Sequence, residues 1–255
     1  MNIDSSIIDE FTQITDACRK NRVFPECSFI SKLISELPKI EKLIEQGTQF
    51  YRARVYKNDL SDYFFDSVKR MKDDIEHAED YLQGFAKEMV RRKALEEAGF
   101  KGFDAKGSFV CPDVRLISAG RCNYENEQCL YVAEDVQTAI SEIKPLIRES
   151  ISVACIQVEE PLRIVDFGFE LSENQIIKLI AFLFVSSPTL DDYDAYMYTQ
   201  IICALVRKLG YDGVKYSSCQ SPSRSNYAIF NFEKCRAIAS EVYEVETIDY
   251  HFKKK

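Results

Sequence analysis

The sequence predicts an α+β protein, with a helical N-terminal part followed by a core of mixed strands and helices. Three observations predict it. Apolar residues recur at helical spacing near the N-terminus and again over residues 62–98. From residue 128 onward, short strand-like runs alternate with helical ones. The 255 residues are 46% hydrophobic and 29% charged, a composition that supports a globular core.

Taken in order, Ile7, Phe11, Ile14 and Cys18 share one helix face. After Pro25, Leu33, Leu37, Ile40 and Ile44 repeat that spacing as far as Gly47, with Pro38 expected to kink or split the helix. Residues 49–56 alternate as a strand, with Phe50, Arg52, Arg54 and Tyr56 on one side. Residues 62–98 carry a heptad seam, Phe64, Val68, Met71, Ile75, Ala78, Leu82, Phe85 and Met89. That seam is expected to pack against the N-terminal helices, although a coiled coil with another chain uses the same pattern. Residues 99–120 form a glycine-containing loop region, of a length often tied to function.

Strands are expected at 128–133, 151–159, 163–167, 213–216, 226–232 and 236–249. Helices are expected at 135–143, 172–186 and 192–209, with Asp135 near the start of the first. The resulting division is a helical region over 1–47 and a second domain over 48–255, with a helical insertion at about 60–98.

The formal net charge is −8, from 33 basic and 41 acidic residues, which argues against a uniformly basic nucleic-acid surface. The nine cysteines include no CxxC pair, and the histidines are His77 and His251. Cys111, Cys122 and Cys129 approach one another in sequence, but no fourth zinc ligand is evident. Reduced thiols in a cytoplasmic protein are the expectation, with no metal. The N-terminus lacks a basic n-region, and the most apolar window, Ile176–Ser186, is too short to span a bilayer.

Chemistry concentrates in Ala119–Pro145, AGRCNYENEQCLYVAEDVQTAISEIKP. An Arg–Asn turn leads into a strand with Tyr131, and a short helix ends on Glu142. A carboxylate at that end opposes the helix dipole, a penalty of about 0.3–1 kcal/mol, which nearby Lys144 and Arg148 are expected to offset. From this segment alone, Glu142 reads better as a surface glutamate than as a functional one. Together, GRxN, YxA and TAxxE resemble the RES-domain family, named for its Arg, Glu and Ser. FYRAR at Phe50–Arg54, GFDAKGSFVCP at Gly102–Pro112, GYDGVKYSS at Gly210–Ser218 and SNYAIFNF at Ser225–Phe232 extend the resemblance in order over about residues 50–232. Two segments depart from the family's pattern. Its NPxG stands here as Asn123, Tyr124, Glu125 and Asn126, and its EVRP as Glu142, Ile143, Lys144 and Pro145.

The resemblance implies a core like that of ADP-ribosyltransferases and a toxin that consumes NAD⁺ by hydrolysis or phosphorolysis, with phosphate as a possible co-substrate. It implies no resident cofactor. No DNA-binding helix-turn-helix is evident, so a separate antitoxin protein is expected, with neither membrane nor nucleic acid as a direct partner. A homo-oligomer is compatible with the sequence. Carried onto this chain, the family's catalytic groups fall on Arg52, Glu142 and Ser218. Glu142 would stabilise the oxocarbenium-like ribose, and Arg52 and Arg121 would hold the pyrophosphate. Tyr131 would wall nicotinamide or else fill the core with its hydroxyl satisfied. Ser218 would bond nicotinamide or ribose, and Ser217, one position away, faces the other side of a strand. Asn226 would touch ligand or hold the loop, and Arg54 would bind substrate or be structural. Two other readings share these residues: an ADP-ribosyltransferase acting on a macromolecule, and a non-catalytic module docking through residues 1–47 and 62–98.

Overall fold

Two breaks in the helical pattern, at Pro38 and at Asp74–His77, decide the N-terminal third of the chain. The computed structural model describes residues 3–21, 25–57, 59–168, 173–186, 196–220 and 223–249. His251, the Lys253–Lys255 tail and the expected helix starts at 172 and 192 lie outside them. Helix α1 (Ser5–Asn21) and α2 (Ser28–Glu36) form as the spacing predicts. Phe11 of α1 stacks on Phe29 of α2, their centroids 5.1 Å apart.

The helix expected to reach Gly47 stops at Glu36. Pro38 has no N–H to donate, and it sits in a 3₁₀ turn over Leu37–Lys39. The chain then becomes strand β1 (Glu41–Ile44), which pairs antiparallel with β5 (Leu162–Asp166). Spacing by four is also an even step, so Ile40 and Ile44 satisfied both patterns.

The heptad seam is likewise not one helix. It folds back on itself as α3 (Asp59–Asp73) and α4 (Ala78–Glu97). Phe64 of α3 meets Phe85 of α4 at 5.3 Å between centroids, so two seam residues pack on each other rather than on α1 and α2. The turn holds Asp74 against His77 at 3.0 Å, and their hydrogen bond lowers the Asp74 pKa.

The remaining strands are β2 (Gln49–Val55), β3 (Leu130–Ala133), β4 (Ser150–Val158), β6 (Gly213–Ser217), β7 (Ser225–Ile229) and β8 (Cys235–Glu244). They form one sheet in the order β1-β5-β6-β7-β3-β2-β4-β8. Pairing is antiparallel except between β5 and β6. The sheet is nearly divided. β2 runs along β4 from Gln49 to Val55, but among the described residues it meets β3 through the single pair Tyr51–Ala133.

One face of the five-strand half is covered by α7 (Gln175–Val185) and α8 (Met197–Lys208), with α1 and α2 joining the same core. Farther along, α6 (Val136–Glu142) covers Ala53, Ala133 and Val153. The other face buries Phe50, Leu130, Ile156 and Ile229 beneath Phe100, Phe109 and Val110. That loop region carries its own structure, a short helix α5 (Ala105–Ser108) and a 3₁₀ turn at Val114–Leu116. No helix among the described residues is long and apolar enough to cross a membrane.

The segment Tyr211–Gly213 pins β6. Buried Asp212 accepts hydrogen bonds from the Arg163 N–H, Asn231 Nδ2 and Lys234 Nζ. A Cβ on Gly213 would lie 2.5 Å from the Ala228 carbonyl oxygen on β7. Gly213→Ala is therefore expected to destabilise the fold by about 1–3 kcal/mol, a strand-spacing penalty that denaturant unfolding measures directly. An unchanged midpoint would contradict this reading of the glycine.

Candidate active site

Helix α6 is placed by its N-terminus. Asp135 is the N-cap, accepting from the Thr138 N–H and hydroxyl, both at 2.8 Å. Ala139, Ile140 and Ile143 then face the sheet, and the seven-residue helix delivers Glu142 at its last position. Glu142 is half-buried. Its Oε1 accepts from the Ser218 hydroxyl at 2.5 Å and from Asn226 Nδ2 at 2.7 Å.

Among the described residues no donor falls on Oε2. The offset expected from Lys144 and Arg148 is not made as an ion pair. Both residues instead adopt positive φ beyond the helix, at 48° and 69°. Neutral donors compensate the carboxylate at the helix end.

One donor, Asn226, lies on β7 and the other, Ser218, directly follows the adjacent β6. Asn226 pairs with Tyr216 on β6 and with Ala133 on β3, so all three share a side. Ser218 lies two residues beyond Tyr216, on that same side, fully buried. Ser217 alternates to the opposite side, with Lys215 and Asp166, as the strand pattern predicts; the structure does not bring it to Glu142. Tyr216, on that face, is buried. Burial holds its phenol well above the ordinary value, Arg121 lowers it, and Glu142 raises it.

Arg121 sits in the turn Gly120–Asn123, which is held from several directions. Gln200 Nε2 donates to the Gly120 and Asn123 carbonyls at 2.8 and 3.1 Å. Thr199 Oγ1 donates to the Arg121 carbonyl at 2.7 Å. The Tyr131 hydroxyl accepts from the Cys122 N–H at 2.7 Å and donates to Asn123 Oδ1 at 2.8 Å. The Tyr131 hydroxyl is thus satisfied within the turn. A Cβ on Gly120 would lie 2.8 Å from that hydroxyl, which is why the turn needs glycine there. The guanidinium of Arg121 donates to the Ser186 carbonyl at 3.1 Å, at the C-terminal end of α7, and lies 5.2 Å over the Tyr196 ring.

Arg52 and Arg54 stand apart from this group. They face the side of Ala154 and Ser152, whereas Tyr51 and Ala53 face α6. Arg54 donates to the Gly107 and Phe109 carbonyls at 2.6 and 3.0 Å. These bonds tie β2 to the α5 loop. Arg52 lies at the opening between β2 and β3, where Nη1 donates to the Tyr131 carbonyl at 2.9 Å. Among the described residues its Nε is buried without a partner. Burial pushes the group down to about 10, so it stays charged at neutral pH. The hydrogen bonds that both arginines make among the described residues go to backbone carbonyls.

The sequence reading missed Thr199, Gln200 and Tyr216. Two polar residues within the apolar run that α8 buries were the available signal for the first two. Gln200→Ala leaves two carbonyls without that donor, and a loss of about 1–3 kcal/mol is expected in thermal or denaturant unfolding. A wild-type midpoint would refute the clamp. Cys122, Cys129 and Cys203 are buried in the same core.

Residues 101–253 match the RES domain. This chain belongs to the RES domain family. The match takes in Arg121, Glu142, Ser218 and Asn226, while β2, with Arg52 and Arg54, precedes it. No curated protein matches the chain. Among solved structures, the RES chain is similar to one in the Mycobacterium tuberculosis MbcT–MbcA toxin–antitoxin complex. Identity there is 12% and the TM-score 0.44, over 86% of this chain and 94% of that one.

Proposed function

We propose that this RES protein is a toxin that cleaves NAD⁺ between nicotinamide and ribose. The observation that carries the proposal is Glu142, a carboxylate fixed through one oxygen by Ser218 and Asn226. In the proposed reaction the C1′–N bond breaks and its electron pair neutralises the nicotinamide ring nitrogen. Positive charge develops on C1′ and the ring oxygen. Glu142 Oε2 stabilises that charge directly or through a ribose hydroxyl, at no reorganisation cost because Oε1 is already held. The oxygen of water or inorganic phosphate then bonds to C1′, and its proton leaves to solvent. Arg121 supplies charge toward the pyrophosphate through N–H groups not used on the α7 carbonyls. Arg52 contributes by holding β3 to β2 across the opening and by keeping a buried positive charge there.

A toxin needs restraint, and a separate antitoxin protein is part of this reading. A protein–antitoxin pair is what the distant MbcT–MbcA structure contains. The acceptor is tested by product analysis. Purified protein is incubated with NAD⁺ alone, with phosphate, and with cell protein, and the ADP-ribose moiety is followed by chromatography and mass. Free ADP-ribose identifies hydrolysis, and an ADP-ribose phosphate identifies phosphorolysis. ADP-ribose attached to protein replaces the hydrolase with a transferase. NAD⁺ left intact in every arm rejects the proposal.

A further inference from the structure

Among the described residues, the outward face of α4 has no partner within the chain. No residue of this 20-residue helix is buried. Leu82, Met89 and Val90 are 55%, 50% and 70% exposed. Together with Ala86 they make one stripe, at steps of three and four along the helix. Single exposed apolar residues are ordinary on a surface, whereas a continuous stripe is not. Met89 also borders a cleft toward Val242 of the edge strand β8, whose lining includes the charged Arg92, Lys93, Glu96 and Lys101.

The charges that end the stripe are self-complementary. About Ala86, Leu82 and Val90 stand four residues to either side, and Glu79 and Lys93 seven. We propose that the protein self-associates through an antiparallel contact between α4 and α4 of a second copy. Ala86 crosses its symmetry mate at the two-fold axis, where a small side chain permits close approach. Leu82 of each copy covers Val90 of the other, and Glu79 of each meets Lys93 of the other. Both charged residues are exposed, and neither makes an ion pair among the described residues. A single helix pair is a small interface, so a concentration-dependent dimer is expected rather than an obligate one.

The test is sedimentation of the whole protein over a wide concentration range, with the mass measured against the 29.4 kDa chain. Wild type is expected to move from monomer to dimer. Glu79→Lys replaces two attractive pairs by two repulsive ones and should weaken association on the order of tenfold. Adding Lys93→Glu restores attraction and should recover it. Leu82→Glu should leave a monomer at every concentration. These positions are exposed, so unchanged circular dichroism confirms that folding is not the cause. A wild-type protein that stays monomeric overturns the proposal and leaves the stripe to another protein. A dimer insensitive to Leu82→Glu, or a double charge swap that fails to recover, also overturns it. NAD⁺ turnover is not a readout here, so failure of this proposal is separable from failure of the proposed function.

Discussion

Glu142→Gln is expected to lower nicotinamide release on the order of 10²–10³-fold, the size of effect seen when one preorganised charge-stabilising group is lost. The amide keeps the shape of the side chain and an oxygen at Oε1. Ser218 and Asn226 can therefore still donate to it, and the fold should be unchanged. Only the negative charge proposed to face the reacting ribose is removed. The loss should appear in kcat with little change in KM, because the charge acts on the transition state more than on bound substrate. Ser218→Ala and Asn226→Ala each remove one hydrogen bond to a charged group, worth about 1.5–3 kcal/mol. Their activity losses should be smaller than that of Glu142→Gln and not additive, since each acts through the same oxygen. A Glu142→Gln enzyme with wild-type kcat would remove the carboxylate from the mechanism.

Phe184→Ala is expected to cost about 3–5 kcal/mol of stability, the usual range for deleting a buried aromatic ring. Phe184 is 1% exposed on α7. Its ring stacks between Phe167 and Tyr216, with centroids 5.5 and 5.0 Å away. Tyr216 in turn shares its strand face with Asn226. The cavity therefore opens directly behind the site, and the variant should lose activity at temperatures where it remains mostly folded. Phe182, on the same helix but 48% exposed, is the control, and its alanine variant should stay within about 0.5 kcal/mol of wild type. Equal effects at the two positions would mean that α7 does not support the site as described.

The sequence made the core half of the molecule legible because its signals were redundant. Asp135 could be named as a cap and Glu142 as a helix end, since capping chemistry and apolar spacing agreed over the same nine residues. The pairing of Glu142 with Ser218 and Asn226 was only partly legible. Motif order brought the three together, but the bonds depend on two strands that meet α6 from residues some eighty positions away. The N-terminal third was misread where one pattern satisfied two structures. Ile40 and Ile44 fit a helix face and a strand side equally, and Pro38 decided for the strand.

The seam from Phe64 to Met89 fits one long helix or a hairpin, and local spacing does not encode the break at Asp74–His77. The arginines of β2 show a different limit. Alternation correctly put Arg52 and Arg54 on one side of a strand. Which side faced the site depended on the register with β4. Arg54 proved to bind loop carbonyls, and Arg52 the Tyr131 carbonyl, neither of which leaves a trace in local sequence.

The most direct test of the account is release of free nicotinamide from NAD⁺ by the purified protein, measured by chromatography beside Glu142→Gln at equal concentration. Wild type is expected to release nicotinamide steadily, rising with time and enzyme, and the variant almost none. Absence of nicotinamide from the wild-type reaction, with phosphate and protein acceptors supplied, would contradict it, as would equal release by both proteins.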